Sequence, residues 1–513
     1  IHTTDPERGY ALGILTNQLS FPLIKSSQLK ALVYTKIDPG LFNYSYEYVG
    51  DLAETISLIW QSSSGEPLPS LSKIIHSLQQ LDREKALNQI ALWLNQSNEI
   101  ERWALLKLIT GNLRIGLSTR TALIALSEVN TSIRLEELEE VCFMLVPPYK
   151  TLFDWIEGKG EKLTVSHNLN FRPLMLSHAI TFEELKNLEP DKFIVEWKWD
   201  GIRVLLVGNG EETRLYSRSG EDISITFPEV VKNIKINGVL DGELLINNEE
   251  GIGSFNDLQK RLNRKAPSQA FQQRYRPIIH LFDVLFLEKQ DLRTFPLRQR
   301  RKLLEDWVLG KPSLYLDLSE TISFNSIKDL QNIYKSSRSH LKYVRAEGFM
   351  VKNLSSPYLS GRVKGHWYKW KKEPFVIDTV LMYAQRGHGK RSSYYSDYTF
   401  GVWTTDENLN QILVPVGKAY SGYSNEELII LDKWIRRNII RKFGPVSEVA
   451  QHLVFEVEFE GIQPSRRHKA GLAMRFPRIK KIRWDKAACE ADTLASVQEL
   501  LNKKDNCNLS YQL

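Results

Sequence analysis

Cysteine is almost missing: 513 residues contain three, Cys142, Cys489 and Cys507, set far apart. That spacing excludes both a disulfide framework and a zinc finger. Apolar runs are short too. None approaches the ~20 residues of a bilayer-spanning helix, and the N-terminus lacks a signal-peptide pattern. The loop histidines His366, His388 and His468 show no metal-ligand spacing, and no internal repeat appears. A cytoplasmic protein without a membrane partner is expected.

What remains is ordinary globular material, 42% hydrophobic and 25% charged. At this length about three domains are expected. A net charge of +7 and a pI near 8.9 permit a polyanionic partner.

Residues 1–171 read as helical. "ERWALLKLI" carries a wide apolar stripe, stopped by the C-cap pair Gly111-Asn112. "LRIGLSTRTALIALSEV" follows, and "QSSSGEPLPSLS" separates earlier helices. From "VPPYK" to "NFRPLML" the texture shifts to Pro, Gly and mixed polarity, which marks a boundary. Residues 172–372 then alternate short β-rich runs with turns and helices. Residues 373–513 hold short alternating strands suited to a small barrel. They also hold a helix started by the capping-box pair Ser424 and Glu427 and, in "EADTLASVQELL", an amphipathic C-terminal helix.

Within the second segment, "VEWKWDGIRV" places Glu196, Lys198 and Asp200 on one strand face and Val195, Trp197 and Trp199 on the other. Asp200-Gly201 is a strong hairpin dipeptide, so the plain reading is two strands joined by a tight turn. Downstream come "YSRSGED" with Arg218, "LDGELL" with Glu243, "HLFDVLFL" with Phe282, "EGFMVK" with Glu347 and Lys352, and "WYKWKK" with Lys369 and Lys371. "AMRFPRIKKIRWDK" follows in the third segment, with Arg475, Arg478 and Lys486.

The ordered series Lys-x-Asp-Gly-x-Arg, Ser-Arg-x-Gly, Asp-Gly-Glu, Phe-Asp, Glu-Gly-x-x-x-Lys, Lys-x-Lys and Arg-Phe-Pro-Arg resembles the covalent nucleotidyltransferases, specifically the ATP-dependent DNA ligases. Each motif is weak; the ordered set is specific. "ITGNLRIGLS" is similar to the family's helical DNA-binding domain, so the resemblance spans nearly the whole chain. It implies an all-α DNA-binding domain (1–171), an α+β adenylation domain (172–372) and a C-terminal barrel of OB type (373–513).

The resemblance implies roles. Lys198 attacks the α-phosphate of ATP and carries AMP. The AMP then passes to the 5′-phosphate of a nick, and the 3′-hydroxyl displaces it. An unperturbed lysine costs about 4 kcal/mol to deprotonate near neutral pH; desolvation, Lys352, Lys369, Lys371 and a metal are expected to lower that cost. Glu243 and Glu347 offer hard oxygens for Mg²⁺, with Mn²⁺ as a substitute, although relatives also assign the first to the ribose. Phe282 offers a face for adenine, Glu196 an acceptor for its amino edge, and Arg203 and Arg218 hold ribose and phosphates. Arg475, Arg478 and Lys486 meet pyrophosphate. Arg114 and Arg120 suit DNA phosphates. A further phosphate contact falls on Arg362 or Lys364.

Plainer readings stand beside these. Phe282 fits a core, Glu347 a strand start, Lys369 and Lys371 a snorkelling edge, Arg475 to Lys486 a basic patch, and Arg114 a helix cap. Lys372-Glu373-Pro374 departs from the family's usual Lys-Asp-aromatic. The expected partner is nicked double-stranded DNA, bound by a monomer with no clamp-binding peptide, in replication, repair or recombination. A bacterial source would place it at the nucleoid. The alternative is an RNA ligase or a GTP-using capping enzyme, which share the Lys-x-Asp-Gly core but typically lack the helical domain.

Overall fold

The computed structural model describes residues 3–19, 21, 24–61, 66–111, 113, 115–143, 145–163, 169–248, 251–288, 290–337, 345–371, 373–387, 393–444, 446–465 and 469–505. These gather into two compact units. One is drawn from Ile1–Ala122, Pro147–Lys150 and Glu373–Asn506, the other from Leu123–Val146 and Thr151–Lys372. The expected three-part fold class is observed: N-terminal helices, a mixed α/β domain and a C-terminal barrel-type sheet.

In the first unit, the helices between Glu7 and Ile109 enclose their own core, in which Phe42, Ile56, Ile90 and Leu106 are fully buried. Helix Glu99–Ile109 starts where Asn98 and Glu101 cap one another reciprocally. Its Arg102 is buried because it donates to the carbonyls of Ser57 at 2.8 Å and Ser97 at 3.1 Å. The barrel strands Phe375–Arg386, Tyr395–Thr405, Gln411–Ala419, Val454–Phe459 and Arg478–Arg483 belong to one antiparallel sheet. Its core draws on Phe400, Leu431, Phe455, Ile479 and Val497. The Ser424–Glu427 capping box opens helix Asn425–Arg437 as the sequence leads one to expect.

Two larger sheets dominate the second unit, beside a parallel pairing of Met175–Leu176 with Gly361–Arg362. The main strands are β1 (Phe193–Trp199), β2 (Ile202–Asn209), β3 (Thr213–Ser217), β4 (Asn237–Asn248), β5 (Arg276–Leu287), β6 (Leu316–Leu318), β7 (Ala346–Asn353) and β8 (Trp367–Lys371). The larger sheet runs β6-β5-β4-β2-β3; the smaller runs His178–Ala179, β8, β7, β1. Asp200-Gly201 therefore does not close a hairpin. β1 pairs with β7 and β2 with β4, so this step carries the chain from one sheet to the other. Alternation in β1 holds: Val195, Trp197 and Trp199 are 0%, 5% and 4% exposed and lie in the core.

Helix Leu135–Cys142 and nearly all of helix Lys150–Ile156 also belong to this unit. Glu140 pairs with Arg293, and the Phe143 ring meets Phe171 edge-on at 4.8 Å.

Candidate active site

Register explains which side chains share a face. Across β1, β7 and β8, Lys198 stands opposite Gly348 and Gly348 opposite Lys371; one step along, Glu196, Met350 and Lys369 form the next row. Both motif lysines of "WYKWKK" thus share the face of Lys198. Glu347 would point the other way by strict alternation. The register shifts between Ala346 and Gly348, and this irregularity turns Glu347 toward Lys198. Gly348 adopts φ +148, and a Cβ there would lie 2.0 Å from the Trp370 carbonyl oxygen, so glycine is required.

Lys198 Nζ donates to Glu347 Oε2 at 2.5 Å. Burial pushes the Lys198 ammonium's pKa down, but the charge and hydrogen bond of Glu347, with Glu243 and Asp200 behind it, outweigh burial, and the net direction is up. The expectation that neighbouring cations favour the neutral amine is reversed here: carboxylates stand closest and win. Glu347, which burial alone would push up, is held below its ordinary value by Lys198 and Lys371.

The opposite wall comes from the larger sheet, where Arg203, Glu243 and His280 are paired neighbours on β2, β4 and β5. Burial pushes the Glu243 carboxyl up to about 7, despite Lys198 and Arg203 nearby. Among the described residues no hydrogen bond reaches that carboxylate, so it offers open oxygen donors. Arg203 is fixed by Asp241 through two bonds, at 3.0 and 2.6 Å, and by the Met175 carbonyl at 2.6 Å. Tyr358 Oη donates to the same Asp241 at 2.7 Å. Phe282 is 9% exposed, at the edge of a core cluster with Trp367. Lys352 Nζ lies 4.0 Å from its ring centre and the Arg203 guanidinium 5.4 Å.

Two expected residues, Lys352 and Glu196, pair with each other in the interior. Lys352, 1% exposed, bonds Glu196 Oε2 at 2.8 Å rather than joining the cations around Lys198. Its burial lowers its pKa, with Glu196, Asp283 and Arg301 as its charged neighbours. Glu196 is likewise internal, receiving Arg301 at 3.3 Å and Ser319 Oγ at 3.1 Å. A lysine and a glutamate taken out of water need each other, and this pair forms a buried base beneath Phe282. Arg301, Ser319 and Tyr358 escape sequence reasoning because they belong to no motif and reach partners more than a hundred positions away; Asp241 lies in a motif, but its pairing with Arg203, 38 positions away, is set by the strand partners.

The phosphate-suited cations do assemble. Burial, then Lys371, Arg362, Lys198 and Arg218, all lower the Lys369 pKa, so positive charge is crowded around it. Of the two upstream candidates, Arg362 and not Lys364 is among these neighbours. On the barrel, Lys486 pairs with Asp378 at 2.6 Å and Arg478 with Glu458, while Arg475 lies 5.7 Å from the Phe476 ring. Arg120 is half-buried on helix Thr119–Ser127. Arg114 lies outside the described residues.

Comparison with known proteins agrees with this geometry. Three family models match: "ATP dependent DNA ligase domain" over residues 173–371, "ATP dependent DNA ligase C terminal region" over 391–486 and "DNA ligase N terminus" over 7–127. A probable DNA ligase of Koribacter versatilis is 31% identical over 483 residues, covering 89% of this chain and 82% of the relative. The chain belongs to the ATP-dependent DNA ligases. A DNA ligase of Methanocaldococcus jannaschii is 29% identical, covering 96% of this ligase and 88% of its own length. The solved structure Pmar-Lig_PreS3 shares the fold, with a TM-score of 0.55 at 17% identity over 93% of this ligase and 99% of that chain. The match to the DNA ligase N terminus goes against the RNA-ligase and capping-enzyme alternatives. Among the described residues no helix is long and apolar enough to cross a membrane.

Proposed function

We propose that this ligase seals nicks in duplex DNA through a lysine–AMP intermediate on Lys198. The observation that carries this reading is the meeting of both signs of charge at Lys198, which donates to Glu347 at 2.5 Å. Glu347, Glu243 and Asp200 act on it directly, and it stands with Lys371, Arg362 and Arg218 among the cations that act on Lys369. Cations placed so would hold the phosphates and stabilise charge as the α-phosphorus is attacked. The Lys198 amine forms the N–P bond, pyrophosphate leaves, and the amine's proton must already have gone. The phosphoramidate then gives AMP to the 5′-phosphate of the nick, and the 3′-hydroxyl displaces AMP to form the phosphodiester.

Phe282 would stack on adenine, with Glu196 and Lys352 beneath it, and Arg203 would orient the ribose. Arg475, Arg478 and Lys486 would engage pyrophosphate during the first step, and Arg114 and Arg120 the duplex phosphates.

The donor set also suits Mg²⁺. Glu243 and Glu347 are hard oxygens, and no hydrogen bond from a described residue occupies the first. Among the described residues no group of three His, Cys, Asp or Glu surrounds a metal site; phosphate and water would complete the coordination of a magnesium ion here. When bound, such an ion would neutralise the carboxylates that keep Lys198 protonated.

Labelled ATP with magnesium, followed by denaturing electrophoresis, tests the reading. A covalent AMP label on the protein is expected, and it should vanish in Lys198→Ala. A label that persists on that variant rules out Lys198 as the nucleophile.

A further inference from the structure

Between Asn353 and Arg362 the chain has little regular structure until Gly361, yet it is tied down along its length. The Ser356 carbonyl accepts from Arg300 Nη1 at 2.9 Å. Tyr358 donates its backbone N–H to the Arg293 carbonyl at 2.7 Å and its hydroxyl to Asp241 at 2.7 Å. Ser360 Oγ donates to Glu139 Oε2 at 2.5 Å. The last anchor differs from the others because Glu139 comes from helix Leu135–Cys142, N-terminal to every active-site motif.

Glu139 is 3% exposed. A carboxylate is buried that deeply only where donors meet it. The helix itself is held fast, because Glu140 pairs with Arg293, the residue whose carbonyl accepts from Tyr358. Two residues beyond Ser360 lies Arg362. Its backbone pairs with Leu176, while that of Lys369 pairs with Ala179, three positions further along the same short segment. The strap that ends on Glu139 therefore delivers Arg362 beside the Lys369–Lys371 strand.

We propose that Glu139 and Ser360 are positioning residues that fix Arg362 at the phosphate end of the site, so that helix Leu135–Cys142 is a working part of the adenylation centre. This rests on the reading of Arg362 as a contact for the nucleotide phosphates. Neither residue touches ATP; both act on where one guanidinium stands.

Self-adenylation of the full chain, measured against ATP concentration with magnesium, tests this. Arg362→Ala should raise the KM for ATP. Ser360→Ala and Glu139→Ala should each raise it about five- to tenfold, the size of one missing hydrogen bond. Ser360→Thr, which keeps the hydroxyl, should stay near the parent. Ser360→Ala combined with Arg362→Ala should be no worse than Arg362→Ala alone, a non-additivity that general destabilisation would not produce. Should Arg362→Ala be impaired while Ser360→Ala and Glu139→Ala keep the parent KM, the positioning role is refuted. Additive effects in the double variant refute it as well. Should Arg362→Ala itself match the parent, the phosphate role of Arg362 falls, and the proposal with it.

Discussion

Lys198 and Glu347 form an ion pair from neighbouring strands, although alternation alone would put them on opposite faces of the sheet. The irregularity at Gly348 resolves the conflict, and its backbone at φ +148 is open to glycine and costly to other residues. Gly348→Ala is therefore expected to destabilise the domain by on the order of 2 kcal/mol or more through strain and overpacking. It should also abolish the AMP label. Thermal unfolding alongside the labelling assay checks both; a stable, fully active alanine variant would contradict the geometry.

Lys198→Ala should behave differently. An alanine fits a strand, so the fold should persist, with circular dichroism unchanged. The AMP label should disappear, while sealing of a nick already carrying 5′-adenylate should survive, because that step needs no amine from the protein.

Magnesium should matter more as pH rises. Burial raises the Glu243 carboxyl from 4.5 to about 7, so below about pH 7 a proton occupies the oxygens that a cation would take. A carboxyl raised on folding favours the folded state while protonated. That contribution is lost as pH climbs from 4.5 through about 7. The increase in melting temperature on adding Mg²⁺ should thus be larger at pH 8 than at pH 6, and Glu243→Gln should flatten the difference. An equal increase at both pH values would place the ion elsewhere.

Deleting everything from Arg475 onward cannot test the pyrophosphate role, because Ile479 and Ile482 from that stretch are 1% and 4% exposed in the barrel core. Point changes can. Arg475→Ala and Lys486→Ala should slow self-adenylation at least tenfold and leave the sealing of pre-adenylated nicks less affected. Equal impairment in both assays would point to DNA binding instead.

The N-terminal helices allow a cleaner truncation than a cut near residue 170. The buried residues of their core run from Tyr10 to Ile109, with Leu113 packed against them, whereas Leu123–Val146 belongs to the unit that holds Lys198. Removing residues 1–122 should spare adenylation but weaken binding to nicked DNA. The slope of log affinity against log salt should become shallower by ~0.9 for each DNA phosphate that the shortened chain no longer neutralises. An unchanged slope would deny this region a grip on DNA.

Much of the site was legible in the sequence because strand alternation is local. Glu196 and Lys198 share a face, Val195, Trp197 and Trp199 are buried, and Lys369 and Lys371 share a face of their own strand, all from a period of two; that this face is also Lys198's follows only from the pairing through β7. What was not legible depends on distant pairing. Glu196 and Lys352 are 156 positions apart, and nothing near either announces a buried ion pair. The turn of Glu347 needs an irregularity visible only once β7 has its partners. Asp200-Gly201 reads as a hairpin because the dipeptide fixes a turn and says nothing of which strands pair afterwards. The allegiance of helix Leu135–Cys142 rests on Glu139 and Glu140, which in sequence are two more acids on a helix.

The clamp of Glu347 on Lys198 also governs what else can react with that side chain. An ammonium has no lone pair to offer any electrophile. While it is clamped, Lys198 is chemically quiet toward the acylating and carbonyl compounds that modify free amines. The residue proposed to carry AMP is thus shielded from accidental damage, and becomes reactive only where the carboxylates around it have been neutralised.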